Sequence, residues 1–269
     1  MKTRAITAFF FTLVMLASIF LGAYTFTFFY LLLSLIALME FYKLIKTTGS
    51  KPNVLLGLTT SGVIFLVVAS NFLLNFENRY LLLLIPLVFG VFISTLYQKT
   101  PSPFADISYT FAGFIYITIP FCFFYALGFV FSADGYNFHL PLAFLLMLWA
   151  SDTGAYLFGR KLGKTKLFER HSPKKSWEGF SGGVFTSVLV AFIISLFFKE
   201  ISAPVWMGMA VLVVSFGTLG DLVESMLKRS LNVKDSGNIL PGHGGILDRF
   251  DGLLIAAPIV FTYLYLVLN

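Results

Sequence analysis

Nine stretches of this chain are apolar over roughly the length that carries a helix through the hydrocarbon of a bilayer, about 20 residues. They fall at 5–23, 25–45, 54–74, 80–97, 107–131, 140–159, 180–198, 203–224 and 252–268. A chain patterned in this way reads as an all-α, polytopic integral membrane protein with about nine transmembrane helices. Only 12% of its 269 residues are charged, against about 25% in soluble proteins. Pro120 removes a backbone donor from the fifth stretch and crowds the preceding turn, which predicts a kink there. The start, Met-Lys-Thr-Arg followed by an apolar run, has the opening of a secretory signal but no small-x-small cleavage site, and further apolar stretches follow at once. It reads as the first membrane helix. Cys122, the single cysteine, lies in an apolar run; it forms no disulfide within the chain and builds no thiolate metal site.

The basic residues orient these helices, because cytoplasmic loops retain Lys and Arg. With nine spans and a cytoplasmic N-terminus, every one of the 19 Lys and Arg except Arg79 and Lys199 falls on the inner side. The C-terminus is then external. The inner loops are unequal, and two polar ones, 160–179 and 225–251, lie in the last third of the chain. Residues 1–100 read as membrane scaffold or oligomerisation helices, and residues 101–269 as the membrane-embedded catalytic region. No internal repeat is evident, which counts against a transporter built from inverted halves.

Chemistry concentrates at the ends of the eighth and ninth stretches. Asp221, Glu224, Ser225 and Lys228 are spaced i, i+3, i+4 and i+7 and share one helix face. An acidic side chain near a membrane helix is costly unless it faces a cavity, a partner or an ion. The plainer reading is that Asp221 and Glu224 pair with Lys228 and Arg229 at the interface. Downstream, Pro241-Gly242-His243-Gly244-Gly245 leads into Ile246-Leu247-Asp248-Arg249-Phe250-Asp251. Glycines let backbone amides approach a ligand closely, and consecutive amides at a helix start make an anion nest. Asp248 and Asp251 are one turn apart, and carboxylate oxygens are the ligands expected for Mg²⁺. Asp248 read alone also fits a helix cap. His243 has three open roles: general base, phosphate donor, or a structural histidine held in a tight turn.

The loop 160–179 reads Arg-Lys-Leu-Gly-Lys-Thr-Lys-Leu-Phe-Glu-Arg-His-Ser-Pro-Lys-Lys-Ser-Trp-Glu-Gly. Lys161, Lys164 and Lys166 fit topology determinants drawn to anionic headgroups. Ser172 to Gly179 is more specific: Pro173 fixes the backbone, Lys174 and Lys175 place two ammonium groups near the membrane, and Trp177 anchors at the interface. Such a pair suits a triphosphate or its departing pyrophosphate. Asp152, in Ser151-Asp152-Thr153-Gly154-Ala155-Tyr156, is a further acidic candidate.

At these residues the chain resembles the phosphatidate cytidylyltransferases, or CDP-diacylglycerol synthases. Ser225, Lys228-Arg229, Lys234-Asp235, Ser236-Gly237, Leu240-Pro241, His243-Gly244-Gly245, Asp248-Arg249 and Asp251 occupy the positions of their signature, and the Asp152–Tyr156 and Ser172–Gly179 segments look like family motifs. The likeness covers residues 145–255; the first hundred match only in being apolar and multi-spanning. It implies transfer of a cytidylyl group from CTP to phosphatidic acid, giving CDP-diacylglycerol and pyrophosphate, with Mg²⁺ required and a second cation as an option. On that basis Asp221 and Asp248 are the principal metal ligands, with Asp152, Glu224 and Asp251 as secondary ones. Lys174, Lys175, Lys228, Arg229 and Arg249 bind phosphates, joined by Ser172, Ser225 and Lys234, and the Gly244 and Gly245 amides contact an anion. His243 stands among the catalytic candidates. The site is expected on the cytoplasmic side, of the plasma membrane if the protein is bacterial. Homodimerisation through the N-terminal helices is expected by analogy, and no nucleic-acid partner. One alternative replaces phosphatidate with an isoprenoid ether lipid phosphate; another, from a different class, is an ion-coupled transporter.

Overall fold

The computed structural model describes residues 2–74, 78–131, 135–240, 242 and 244–268. Its elements, in order, are α1 (Lys2–Phe20), α2 (Ala23–Lys46), α3 (Val54–Leu74), a 3₁₀ stretch (Asn78–Leu83) leading into α4 (Leu84–Leu96), α5 (Pro103–Gly113), a π-helical turn (Phe114–Thr118), α6 (Ile119–Leu127), α7 (His139–Leu162), the strands β1 (Lys166–Phe168) and β2 (Ser172–Ser176), α8 (Trp177–Phe197), α9 (Ala203–Ser230) and α10 (Leu247–Leu268). Among the described residues eight helical stretches have the length and composition to cross a membrane, and Ile6–Phe20 adds a shorter apolar one. The protein is a helical integral membrane protein.

A kink is expected at Pro120, and ahead of it the structure has a π turn. Proline lacks the N–H that closes an α-helical turn, and the widened turn Phe114–Thr118 absorbs the gap without ending the stretch Pro103–Leu127. Several helices run longer than the apolar pattern showed, α9 and α10 by the most. Helix α9 continues through the polar residues to Ser230, and α10 begins at Leu247.

The chain forms two compact units. The first contains residues 1–136 and 231–249. Its core holds an aromatic cluster in which Phe26 meets Tyr30, Phe124, Tyr125 and Tyr136, with ring centroids 4.7–6.1 Å apart. Tyr42, fully buried, crosses from α2 to donate a hydrogen bond to the Thr110 carbonyl at 2.8 Å. It fits there because Gly57 and Gly113 present no Cβ to its ring.

The second unit contains residues 137–230 and 250–269. Here α7 and α8 pack closely along a seam of small residues, the device that lets membrane helices gain dispersion contact where no hydrophobic force drives them together. A Cβ at Gly154 would strike Thr186 and lie 2.7 Å from the Gly182 carbonyl oxygen. Across this seam Thr186 Oγ1 donates to the Ala150 carbonyl at 2.9 Å and Ser187 Oγ to the Met147 carbonyl at 3.1 Å. Helix α9 packs beside them. The loop between α7 and α8 is a small antiparallel hairpin, β1 against β2.

Candidate functional site

The last turns of α9 carry the acidic face. Asp221 and Ser225 are joined by a hydrogen bond from Ser225 Oγ to Asp221 Oδ1 at 3.2 Å. One turn on, Lys228 Nζ pairs with Glu224 Oε2 at 2.5 Å. The two acids sit in different surroundings: the Glu224 side chain is wholly buried, whereas that of Asp221 is 37% exposed. Asp251 joins them from α10, its Oδ1 accepting the Gly252 N–H at 2.7 Å. The approach of α10 to α9 depends on Gly220, where a Cβ would strike the Asp251 carbonyl oxygen. As a result, one carboxylate oxygen from each of Asp221, Glu224 and Asp251 lies within 4.8 Å of the others.

Three carboxylates at that spacing repel one another, and a cation is what relieves the repulsion. Part of the relief is built in: Lys175 forms an ion pair with Asp221 Oδ2, and Lys228 serves Glu224. The oxygens are hard donors of the kind that hold a divalent cation. The cluster is a candidate metal centre on this chemistry. Asp152, exposed on α7, and Lys175 both act electrostatically on Asp251.

Local folding of residues 164–179 brings Lys175 to the cluster. Ser176 caps α8 through a hydrogen bond from the Gly179 N–H to its Oγ at 3.1 Å, as serine does at a helix start. Glu178, in the first turn, accepts the backbone N–H groups of Lys164 and Thr165 at 3.1 Å. These bonds tie both ends of the hairpin to one helix terminus. Within β2 Lys174 is exposed, whereas Lys175, whose side chain is 28% exposed, reaches Asp221. Ser172 starts the same strand.

The glycine-rich segment belongs to the first unit. Gly242 and Gly244 have φ of 76° and 82°, a region that side-chain-bearing residues rarely adopt. They let the chain fold back so that the Leu240 N–H donates to the Gly244 carbonyl at 3.0 Å. Asp248 Oδ2 gathers three donors: the Ser236 N–H and Oγ, each at 2.9 Å, and the Gly245 N–H at 2.8 Å. The Gly245 amide thus faces an anion, and that anion is the protein's own carboxylate. Arg229, Lys234 and Arg249 are exposed. His243 and Pro241 lie outside the described residues.

Sequence reasoning passed over Glu40. This acid sits within α2, only 2% exposed, and its Oε2 accepts the Leu247 N–H at 2.9 Å and lies 3.5 Å from the Ser236 hydroxyl, which points its proton at the nearer Asp248. The signal was present, since an ionisable residue inside an apolar helix is a functional candidate by default. That reasoning was applied to Asp221 and Glu224 and not to Glu40.

Helices long enough to cross a bilayer, with carboxylates and lysines massed where two of them end, define a membrane protein with a candidate metal centre. Residues 2–267 match the model of the cytidylyltransferase family. Over 264 residues, covering 97% of both chains, the protein is 39% identical to the phosphatidate cytidylyltransferase of Staphylococcus haemolyticus (strain JCSC1435). It is 38% identical over the same span to that of Staphylococcus epidermidis (strain ATCC 12228 / FDA PCI 1200), and 37% to that of Staphylococcus aureus (strain COL). The chain belongs to the cytidylyltransferase family.

Proposed function

We propose that this protein transfers the cytidylyl group of CTP to phosphatidic acid, releasing pyrophosphate and leaving CDP-diacylglycerol in the membrane. The observation that carries this reading is the likeness to phosphatidate cytidylyltransferases along 97% of both chains. The site's chemistry agrees with it. A phosphate oxygen of the lipid attacks the α-phosphorus of CTP, and the bond from that phosphorus to the bridging oxygen of the leaving pyrophosphate breaks. The nucleophile is already an anion, so no covalent nucleophile is needed from the protein. What the reaction needs is positioning and relief of charge between two anions.

Asp221, Glu224 and Asp251 are the group we assign to a divalent cation, Mg²⁺ by the hardness of the donors; Asp152 stands beside them, and Asp248 is assigned with them on its place in the family motif. Bound there, the cation would supply charge stabilisation for the α-phosphate and the departing pyrophosphate. Lys175 and Lys228 hold the carboxylates in place and, with Lys174, Arg229, Lys234 and Arg249, offer positive charge to the phosphates. Ser172, Ser225 and the Gly244 amide are the remaining phosphate-binding assignments, the Gly245 N–H being taken up by Asp248, and His243 keeps its place among the catalytic ones. The site is assigned to the cytoplasmic side, where CTP is found.

The test uses purified protein, phosphatidic acid in mixed micelles, Mg²⁺ and CTP radiolabelled at the α-phosphorus. Label is expected in a lipid-soluble product, at a rate that falls to background when Mg²⁺ is chelated. With label at the γ-phosphorus instead, all of it should remain water-soluble. An α-label that stays in water with phosphatidic acid present overturns the reading.

A further inference from the structure

Glu40 has no place in the transfer chemistry described so far, yet it is an acid buried to 2% exposure within an apolar helix of the first unit. A carboxylate taken out of water costs several kcal/mol unless it is matched by partners, so its retention inside an apolar helix needs a reason. Its contacts supply one. Oε2 accepts the N–H of Leu247, the first residue of α10, which is one of the amides a helix start leaves without a partner. The same oxygen reaches Ser236 Oγ at 3.5 Å, and that hydroxyl lies 2.9 Å from Asp248 Oδ2. Among the described residues Oε1 accepts no hydrogen bond, and the two carboxylate oxygens lie against two glycines of the signature segment, Oε1 against Gly237 and Oε2 against Gly245. A Cβ at Gly237 would lie 2.9 Å from the Glu40 carboxyl carbon, and one at Gly245 2.8 Å from it. Glycine at these two positions is therefore what lets the segment close over the carboxylate.

We propose that Glu40 is a positioning residue for the transfer reaction: from within α2 it fixes Ser236 and the first turn of α10, and through them sets the orientation of the Asp248 carboxylate. The inference rests on the assignment of Asp248 to the reaction. It also gives α2, whose sequence carries none of the signature, a part in the chemistry. The geometry needs an acceptor at the Oε2 position and no bulk beyond the carboxylate. Glutamine satisfies both, placing its carbonyl oxygen where Oε2 stands and its amide at the position of Oε1.

The experiment compares wild type, Glu40→Ala and Glu40→Gln as full-length protein in detergent, measuring kcat, KM for CTP, the folded fraction and hydrogen exchange of the Ser236, Gly245 and Leu247 amides. Wild-type turnover of CTP and phosphatidic acid judges the transfer reading by itself. In Glu40→Ala, kcat should fall about tenfold to hundredfold, the size expected for a displaced reacting group, while KM for CTP stays within about threefold. The three amides should exchange faster. Glu40→Gln should return both kcat and protection to within about threefold of wild type, since misplacement is what costs rate. Wild-type kcat in Glu40→Ala overturns the proposal, as does a loss that only tracks the folded fraction, or a glutamine variant as slow as alanine with its amides protected. If wild type itself makes no lipid product, the transfer reading fails, and unchanged amide exchange in Glu40→Ala independently sinks the positioning role.

Discussion

Asp221 and Glu224 are one turn apart on α9, and their exposure sets what removing each charge costs. Glu224 is wholly buried and Lys228, its partner, is 12% exposed in its side chain. Glu224→Gln leaves an ammonium with an uncharged neighbour in a dry site, and breaking a buried pair in this way costs about 3 kcal/mol. The variant should unfold at a clearly lower temperature and lose activity with it. Asp221 is different, because water already reaches its side chain. Asp221→Asn should leave the thermal midpoint close to that of wild type while turnover drops about a hundredfold, the scale of losing one preorganised charge at a reaction centre. Thermal unfolding and initial rates on the same preparations separate the two cases; equal stability losses in both variants would contradict the assignment. The spacing of Asp221, Glu224 and Lys228 was legible in the sequence because it follows from helix period alone. The role of Glu40 was not, because its partner Leu247 lies 207 residues away in the chain, and no local pattern reports a contact of that separation.

Element boundaries show a similar division. Apolar length located the membrane helices, but it stopped at residue 224 in α9, where polarity rises, although the helix continues to Ser230. Hydropathy reports the surroundings of a segment, and backbone hydrogen bonding continues past the point where those surroundings change. The hairpin of β1 and β2 was hidden for another reason: strands of three and five residues are too short to display an alternation. The packing of α7 against α8 leads to a direct test. Gly154→Ala places a methyl 2.7 Å from the Gly182 carbonyl oxygen, a backbone atom that cannot swing aside. Overpacking of this kind costs about 1–3 kcal/mol. Gly62→Ala and Gly90→Ala in α3 and α4 meet nothing within 4 Å, and there alanine gains up to about 1 kcal/mol of helix propensity. The thermal midpoint should fall for Gly154→Ala and hold or rise for the other two. A common shift in all three would mean that close packing at the α7 and α8 seam is not what Gly154 provides.

At the scale of the whole molecule the charges and the chemistry constrain each other. CTP is a soluble polyanion and does not cross a bilayer, so the proposed function requires the α9 carboxylates and the hairpin to face the compartment that contains it. The proposed placement of both on the cytoplasmic side draws on the distribution of Lys and Arg, since cytoplasmic loops retain basic residues. One line comes from substrate chemistry; the other comes from the loops of the chain, including the early ones with Lys2, Arg4, Lys43, Lys46, Lys51 and Lys99. A labelling experiment checks them together. Cys122 is the only cysteine and is buried, so Cys122→Ala gives a background without thiols at the cost of one substitution. Single cysteines then go to exposed positions, Lys166→Cys in β1, Asn238→Cys in the signature segment and Ser202→Cys between α8 and α9. In intact cells a membrane-impermeant maleimide should label the Ser202→Cys variant and spare the other two, which should react only after the membrane is opened. Labelling of Lys166→Cys in intact cells would put the hairpin on the wrong side of the membrane for CTP, and the orientation and the site assignment would fall together.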